Sequence, residues 1–291
     1  SKTFVIIDTK ISKNFYKFFK KNNNLTVIKI NGSEKIKSFE VYKKIILMLL
    51  RNNIDRSSTI VAIGGGTIGD LAGFIASTVL RGVKFILIPS TLLSQVDSSI
   101  GGKNGINSIF GKNLIGTFLQ PDKVLIDPEL LKSLSIKQIK SGYAEIVKHA
   151  LINDKNFYLW LKINYKNIFL LKSNVLIDAI YKSIKIKKKY VEKDEKEVLI
   201  TSSSRAMLNF GHTFGHALEA MNNYKSNLTH GEAISIGMII ESKISNKLNM
   251  LDNSELHDII SHFKSAGLKI HSNRISRKKI FKVIGKDKKN T

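Results

Sequence analysis

Short apolar runs separated by amphipathic stretches make up the first 127 residues of the chain. Runs rich in β-branched residues, typical of buried strands, occupy residues 4–7, 25–30, 59–63, 85–88 and 123–126. Residues 39–52 and 71–80 instead repeat their apolar positions at helical spacing. Because strands that alternate with helices assemble into parallel sheets, residues 1–127 are predicted to form an α/β domain with a parallel sheet.

The pattern changes after Pro128, where helical spacing replaces the strand-like runs. Apolar positions recur at intervals of three and four in residues 139–152, 175–191, 213–221 and 232–248. We therefore predict a second, all-α domain over residues 128–291. A cleft between two such domains is the expected place for a ligand.

A glycine-rich segment follows the third strand-like run. Gly64, Gly66 and Gly69 have the spacing G-x-G-x-x-G between a predicted strand and a predicted helix, where the lack of Cβ atoms lets a pyrophosphate approach a helix N-terminus. The alternative is a tight turn that needs glycines for positive φ. The next strand ends at Ser90 without an acidic residue that could bind the ribose hydroxyls. Asp8, at the end of the first strand, is the candidate for this role instead. The segment indicates a Rossmann-like domain that departs from the ordinary fingerprint.

Two lysines, Lys103 and Lys112, stand in glycine-rich surroundings further along the chain. Lysines presented by flexible loops suit phosphate oxygens, because a point charge needs little geometric fit. In a chain this rich in lysine, a solvated surface position is the alternative for both.

Histidine, aspartate and glutamate are the available metal ligands, because the chain has no cysteine. His212 and His216 lie four residues apart, on one face of a predicted helix, and His230 follows them. Three histidines in a short span suit a catalytic zinc ion with three protein ligands and an open position. Spacing nominates His212 and His216 as the pair and leaves the set of three open. A core or surface histidine is the alternative for any one of them.

The net charge of +24 raises the question of nucleic-acid binding. The excess is mostly scattered lysine, and the two denser segments, residues 185–189 and 277–289, lack the interleaved aromatic residues of a single-strand-binding surface. We therefore predict no nucleic-acid partner and favour an anionic small-molecule substrate. The lack of a spanning apolar stretch and of signal-peptide order predicts a cytoplasmic protein with no membrane partner.

Several separate motifs, in family order, resemble 3-dehydroquinate synthase of the sugar phosphate cyclase superfamily. They comprise residues 64–70, 89–103, 142–148, 209–216 and 230–232, and the resemblance extends from about Phe4 to Lys289. It implies conversion of 3-deoxy-D-arabino-heptulosonate 7-phosphate to 3-dehydroquinate and phosphate, in the shikimate pathway of aromatic amino acid biosynthesis. It also implies NAD that is regenerated at each turnover, a zinc or cobalt ion, and a homodimer.

The resemblance assigns an expected role to each site residue. The implied metal ligands are Glu145, His212 and His230, which leaves His216 on the substrate side. The implied NAD contacts are Asp8, Glu34, Lys37, Gly65, Gly66, Asp70, Ser90, Thr91, Lys103, Lys112 and Ser133. The implied substrate contacts are Asp97, Lys103, Asn113, Lys148, Lys187, Arg205, Asn209 and His216, together with Arg81 from the neighbouring subunit.

The chain departs from the family pattern at a few positions. Asn104 and Ser90 stand where the family usually has threonine, and residues 198–204 contain an insertion just before Arg205. The family's opening strands and its C-terminal segment are expected to be missing. Lys289, an implied phosphate ligand, then lies on a truncated tail, and slow turnover is expected.

Three other functions remain open. Another sugar phosphate cyclase differs only in the ring that it makes. A metal-dependent polyol dehydrogenase of the same superfamily releases NADH. A nucleic-acid-binding protein needs no metal and binds with a steep salt dependence.

Overall fold

The computed structural model describes residues 1–11, 24–199, 201, 204–221 and 228–272. These fall into two compact units, Ser1–Leu134 and the remainder from Ser135 onward. The sequence pattern places the boundary near residue 128, whereas the short 3-10 helix Pro128–Ser133 belongs to the first unit. Lys289 lies outside the described residues.

Strands and helices alternate in the first unit. Its strands in the described ranges are β1 (Thr3–Asp8), β2 (Leu25–Ile30), β3 (Thr59–Gly64), β4 (Lys84–Pro89), β5 (Lys103–Ser108), β6 (Gly111–Phe118) and β7 (Lys123–Val124). Its longer helices there are α1 (Phe39–Arg51) and α2 (Gly66–Thr78). Five of the described strands form one sheet in the order β2-β1-β3-β4-β7, with every pair parallel. The predicted parallel sheet is therefore confirmed.

Both faces of this sheet are buried. Along β1, Phe4 and Ile6 belong to one core cluster, while Val5 and Ile7 belong to another that includes Ile63 of β3. Successive side chains of a strand point to opposite faces. An uninterrupted apolar run is therefore what a strand covered on both faces requires.

The segment around Lys103 and Lys112 forms an antiparallel hairpin, β5–β6, and the expectation of flexible loops there is wrong. A Cβ on Gly116 would lie 2.2 Å from the carbonyl oxygen of Asn104, so the strands approach at a distance that only glycine permits. The hairpin packs on α2. Its glycines and asparagines conceal the apolar alternation that marks a strand.

Two other predicted boundaries also change. The helix expected over residues 71–80 begins at Gly66 and ends at Thr78, because the glycine turn itself opens the helix. The strand expected over residues 123–126 is paired only at Lys123 and Val124.

The regular elements of the second unit are all helices in its described ranges. Its helices there are α3 (Ile136–Asn153), α4 (Lys155–Phe169), α5 (Ser173–Lys193), α6 (His212–Met221), α7 (His230–Lys247) and α8 (Asn253–Ser265). α3 begins at a capping box formed by Ser135 and Gln138, and it packs against α4, α5 and α7. Within the part of the chain that the structure describes, each helix falls short of the length or apolarity needed to cross a bilayer.

Candidate active site

The glycine turn of the first unit joins β3 to α2. Gly65 caps α2 without a side chain, which leaves the start of the helix open. A Cβ on Gly66 would lie 2.8 Å from Ser98 Oγ, and a Cβ on Gly69 would lie 3.3 Å from Leu87 of β4. The last glycine thus permits close packing of helix on strand, as in dinucleotide-binding turns.

The hydroxyl next to this turn supports a phosphate ligand. Ser98 Oγ is buried, and it has no hydrogen-bond partner among the described residues. A buried polar group left unpaired costs about 1–3 kcal/mol. A phosphate oxygen placed at the open start of α2 provides such a partner, so the turn fits a dinucleotide.

Asp8 ends β1 at the edge of the sheet where ligands of parallel sheets bind. Its Oδ1 accepts hydrogen bonds from the backbone N–H of Lys10 at 3.0 Å and of Gly32 at 3.2 Å. A Cβ on Gly32 would lie 2.1 Å from Asp8 Oδ2. Glycine at position 32 therefore allows the backbone to hold this carboxylate.

A second polar group of the first unit is centred on Lys37, whose side chain is 3% exposed. Its Nζ donates to Asp70 Oδ2 at 2.6 Å and to Asn113 Oδ1. Burial raises the pKa of Asp70, while Lys37 acts in the opposite direction. Lys112 Nζ lies 3.9 Å from Glu34 Oε1. The structure thus brings four expected NAD contacts together with Asn113, an expected substrate contact.

The other expected residues of the first unit are more dispersed. Ser90 donates its backbone N–H to Gly64 O at 2.8 Å, and Thr91 packs 3.2 Å from the Cβ position of Gly65, so both adjoin the glycine turn. Ser133 donates to Leu130 O within its own 3-10 helix. Asp97 lies in the π-helical turn Ser94–Ser98, and Lys103 is an exposed residue at the start of β5.

Arg81 lies just beyond α2 in strained backbone. Leu80 and Arg81 have φ angles of 49° and 67°, in the left-handed region that non-glycine residues rarely adopt. The Arg81 residue is exposed. Strain of this kind persists only when the surroundings enforce it, and it is enriched at functional positions.

In the second unit, Glu145, His212 and His230 direct their ligand atoms at one point. These atoms all lie within 4.8 Å of one another. Glu145 Oε1 is 3.8 Å from His212 Nε2 and 3.4 Å from His230 Nε2. Ligands held about 2.1 Å from a tetrahedral ion lie roughly 3.4 Å apart. The three donors therefore fit a divalent metal ion with little rearrangement.

The remaining nitrogen of each histidine is already bonded. His212 Nδ1 lies 3.2 Å from Phe210 O, which can only accept, so this nitrogen carries the proton and Nε2 is left for a metal ion. His230 Nδ1 lies 3.3 Å from Glu219 Oε2. Carboxylate or carbonyl partners of this kind orient metal-binding histidines in many proteins.

The electrostatics of this cluster are those of a buried carboxylate that attracts cations. Although burial alone raises it, the pKa of Glu145 lies well below its usual range because of Lys148 and the two histidines. Burial and Lys148 hold the pKa of His212 well below normal. The pKa of His230 is about 10 despite burial, because Glu145 and Glu219 stabilise its charged form.

Close backbone packing between helices sets the ligand positions. A Cβ on Gly231 would lie 2.2 Å from Ser141 O of α3, so only glycine lets the start of α7 rest against α3, where Glu145 lies one turn further on. A Cβ on Gly237 of α7 would lie 1.9 Å from Gly211 O, next to His212. Main-chain contacts therefore fix His230 and His212 relative to their neighbours.

The end of α7 also contributes to the position of His212. Glu241 Oε2 accepts from the backbone N–H of Gly211 at 2.7 Å, at the start of α6. Burial raises the pKa of Glu241 to about 6, although the backbone N–H groups of Gly211 and Phe214 lower it.

The expected substrate contacts of the second unit include three buried cations, Lys148, Lys187 and Arg205. Lys148 pairs with Glu145 Oε2. Arg205 donates its backbone N–H to Asp194 Oδ2 at 3.1 Å and its guanidinium to Glu195 O at 2.7 Å.

The other two expected substrate contacts of this unit are Asn209 and His216. Asn209 Nδ2 donates to Glu197 Oε1 at 2.9 Å. The ring centroid of His216 is 5.1 Å from that of His212, so His216 adjoins the metal donors. Among the described residues, the donor atoms of His212 lie within 4.8 Å of those of Glu145 and His230, and His216 is not a member of this group.

Several supporting residues escape sequence reasoning. Asp194 accepts backbone N–H groups from Val198, Leu199 and Arg205, and so holds these three residues together. Glu219 orients His230. The spacing of acidic residues reveals neither role, because the contacts with Arg205 and His230 each span 11 residues outside any regular repeat.

Comparisons with known proteins agree with this arrangement. The family model described as 3-dehydroquinate synthase N-terminal matches residues 27–141, and the one described as 3-dehydroquinate synthase C-terminal matches residues 142–290. A 3-dehydroquinate synthase of Pelagibacter ubique (strain HTCC1062) is 43% identical over 293 residues, which cover 98% of this chain and 78% of that protein.

Solved structures of sugar phosphate cyclases are also similar. The 2-epi-5-epi-valiolone synthase of Streptomyces hygroscopicus, with NAD+ and Zn2+ bound, has a TM-score of 0.88 at 22% identity, covering 98% of this chain and 79% of that one. This likeness shows the fold alone. A 2-deoxy-scyllo-inosose synthase complexed with carbaglucose-6-phosphate, NAD+ and Co2+ has a TM-score of 0.81 at 26% identity, covering 97% and 77%.

Proposed function

The chain belongs to the 3-dehydroquinate synthase family, and from this premise we propose how its own residues carry out the family reaction. The activity is that of a 3-dehydroquinate synthase, which converts 3-deoxy-D-arabino-heptulosonate 7-phosphate to 3-dehydroquinate and phosphate. The observation that carries the assignment of residues is the convergence of Glu145, His212 and His230 on one point.

The cofactors are NAD and a divalent ion, zinc or cobalt. The solved 2-deoxy-scyllo-inosose synthase holds NAD+ and Co2+ with a sugar phosphate analogue. NAD supplies a hydride acceptor and donor, and the metal ion supplies a Lewis acid for a substrate hydroxyl. Glu145, His212 and His230 would hold the ion. The glycine turn, Asp8 and the group around Lys37 would hold NAD.

The substrate carries a carboxylate and a phosphate, and the chain offers buried cations for both. Lys148, Lys187 and Arg205 are all buried, and a cation that is shielded from water attracts an anion more strongly than an exposed one. Such preorganised charges stabilise a leaving phosphate without reorganisation at the moment of reaction. His216 and Asn209 would orient the substrate beside the metal donors. Asp97, Lys103 and Asn113 of the first unit remain substrate contacts that the family resemblance implies.

We also propose that the enzyme is a homodimer in which Arg81 contacts the phosphate in the other subunit. The exposed position of Arg81 and the strained backbone that presents it support this role.

The direct test is incubation of the purified chain with the heptulosonate phosphate, NAD and zinc or cobalt, followed by assay of phosphate and 3-dehydroquinate. The two products are expected in equal amounts. A chelator is expected to abolish the reaction, and re-addition of the metal ion to restore it. Phosphate release with a different carbocycle would assign the chain to another sugar phosphate cyclase.

Hydride recycling provides an independent prediction. Because the cofactor is reoxidised within each turnover, product should exceed the added NAD many-fold while the absorbance of NADH stays flat. NADH that accumulates in proportion to turnover would instead indicate a polyol dehydrogenase.

A further inference from the structure

Asn107 occupies an irregular position in the β5–β6 hairpin. The register of the hairpin shifts between Ile106 and Ser108, and opposite this shift Asn113 adopts a left-handed φ of 54°. The backbone N–H of Asn113 donates to Asn107 Oδ1 at 3.0 Å. The side chain of Asn107 thus replaces a ladder bond where the strand pairing is interrupted, a kind of irregularity that commonly re-aims a side chain near an active site.

The same residue reaches the turn that precedes α1. Asn107 Nδ2 donates to Glu34 Oε1 at 2.8 Å, and the backbone N–H of Asn107 donates to Lys37 O at 2.8 Å. Glu34 begins the 3-10 helix Glu34–Ile36, and Lys37 follows it directly. A single residue therefore joins the hairpin to the turn through two hydrogen bonds and holds Asn113 within the hairpin through a third.

The orientation of the Asn107 amide is determined by its partners. A backbone N–H can only donate, so the atom facing Asn113 must be the oxygen, and a carboxylate can only accept, so the atom facing Glu34 must be the nitrogen. Both functions of the amide are used at once. Neither a hydroxyl nor a carboxylate at position 107 satisfies both partners in the same way.

We propose that Asn107 is a positioning residue for the nucleotide cofactor. It holds Glu34, Lys37 and Asn113 in one arrangement, in which Lys37 Nζ bridges Asn113 and Asp70. Three of these four neighbours are among the expected NAD contacts, and this inference rests on the proposed function to that extent. Without Asn107, the turn and the hairpin move independently, and NAD must order both when it binds.

The test measures NAD affinity of the whole chain by calorimetry, alongside steady-state kinetics. Asn107→Ala removes two side-chain hydrogen bonds and is expected to weaken NAD binding about tenfold. The KM for NAD should rise by the same factor, while kcat at saturating NAD changes far less. If Asn107 had a purely structural role, Asn107→Ala would lower the melting temperature without raising KM for NAD more than it lowers kcat.

A paired substitution tests the contact itself. Asn107→Asp places a carboxylate against that of Glu34 and should weaken NAD binding more than Asn107→Ala does. Adding Glu34→Gln supplies an amide donor to the new carboxylate and should recover part of the lost affinity. This rescue reverses the direction of the hydrogen bond and keeps the geometry.

Asn104→Ala is the matched control. Asn104 also lies on β5, and its amide donates to Gly102 O at 2.8 Å and Leu119 O at 3.0 Å. Both contacts lie at the base of the hairpin. It should lower the melting temperature and leave the Kd for NAD unchanged within about twofold. Equal Kd values in the wild type and Asn107→Ala, or equal losses in Asn107→Ala and Asn104→Ala, would overturn the inference. A wild-type chain that binds no NAD would refute the proposed function and, with it, this role of Asn107.

Discussion

Single residues determine whether the donor atoms at the proposed metal site are available. Phe210 O holds the proton of His212 on Nδ1, and Glu219 occupies Nδ1 of His230, so both Nε2 atoms face Glu145. A metal ion needs deprotonated ligand atoms, so its binding must displace the proton that Glu145 and Glu219 stabilise on His230. His216 is near this group, and its contact with His212 is made between the two rings.

We therefore expect Glu145→Gln and His212→Ala each to lose the bound ion, because two protein ligands form an incomplete site. His216→Ala should retain it while activity falls. Metal content of the three purified variants, measured after dialysis, decides between these sets of ligands. Equal loss of metal in His216→Ala would show that the histidines four residues apart form the binding pair.

The candidate metal ligands could be predicted from the sequence. The residues that hold other site residues in place could not. His212 and His230 stand out in a chain without cysteine, and Glu145 emerges only from the family motif around it. Asp194 and Asn107 act through partners many positions away, so no local spacing indicates them. Their roles become visible only when the backbone is in place.

At the scale of elements, the start of α6 is capped by a carboxylate from another helix, α7. The N–H groups at a helix start have no partner within the helix. Glu241 of α7 supplies one to Gly211, and burial raises its pKa to about 6 from an ordinary 4.5. The folded chain therefore holds a proton on Glu241 more tightly than the unfolded chain does.

This difference predicts a pH-dependent contribution to stability. Between about pH 4.5 and 6 the folded state binds more protons at Glu241, so its contribution to the free energy of unfolding should fall as pH rises, by at most about 2 kcal/mol. Glu241→Gln removes this titration. Denaturant unfolding of both proteins at several pH values, with a chelator present, measures the difference between their curves. Parallel curves would contradict the prediction.

The spacing of apolar residues predicted the strands and helices well wherever the pattern was uninterrupted. The strands from β1 to β4 and the helix α1 follow uninterrupted apolar patterns, and each lies within two residues of its predicted bounds at both ends. The hairpin β5–β6 was not foreseen, because close approach at Gly105 and Gly116 removes the side chains that would show alternation. α7 begins at His230, two residues before its predicted start, because Thr229 and Glu232 form a capping box around the histidine.

At the scale of the whole molecule, the role proposed for Arg81 requires a second copy of the chain. Arg81 is exposed in the first unit, and it follows Leu80, which packs against the core under the sheet, so the two strained residues turn one side chain inward and leave the cation outside. A cation presented outward in this way suits an anion held by another subunit.

A complementation experiment tests this arrangement. Arg81→Ala and Glu145→Gln chains are each expected to be nearly inactive alone. In mixed dimers, one site keeps its own Glu145 and receives an intact Arg81 from its partner, so random reassembly should restore roughly one quarter of wild-type activity. A mixture no more active than its components would show that Arg81 acts within its own chain or not at all.

The contact of Gly237 with the carbonyl of Gly211 has a consequence for ion selectivity. Because main-chain atoms already touch there, α6 and α7 cannot pack more closely, and a wider spacing of His212 and His230 would break this contact. Calcium, with ligand distances of about 2.3–2.6 Å, would have to force the helices apart, whereas ions bound at about 2.0–2.1 Å need no such movement. We therefore expect these glycines, which would never touch the ion, to favour small divalent cations over large ones.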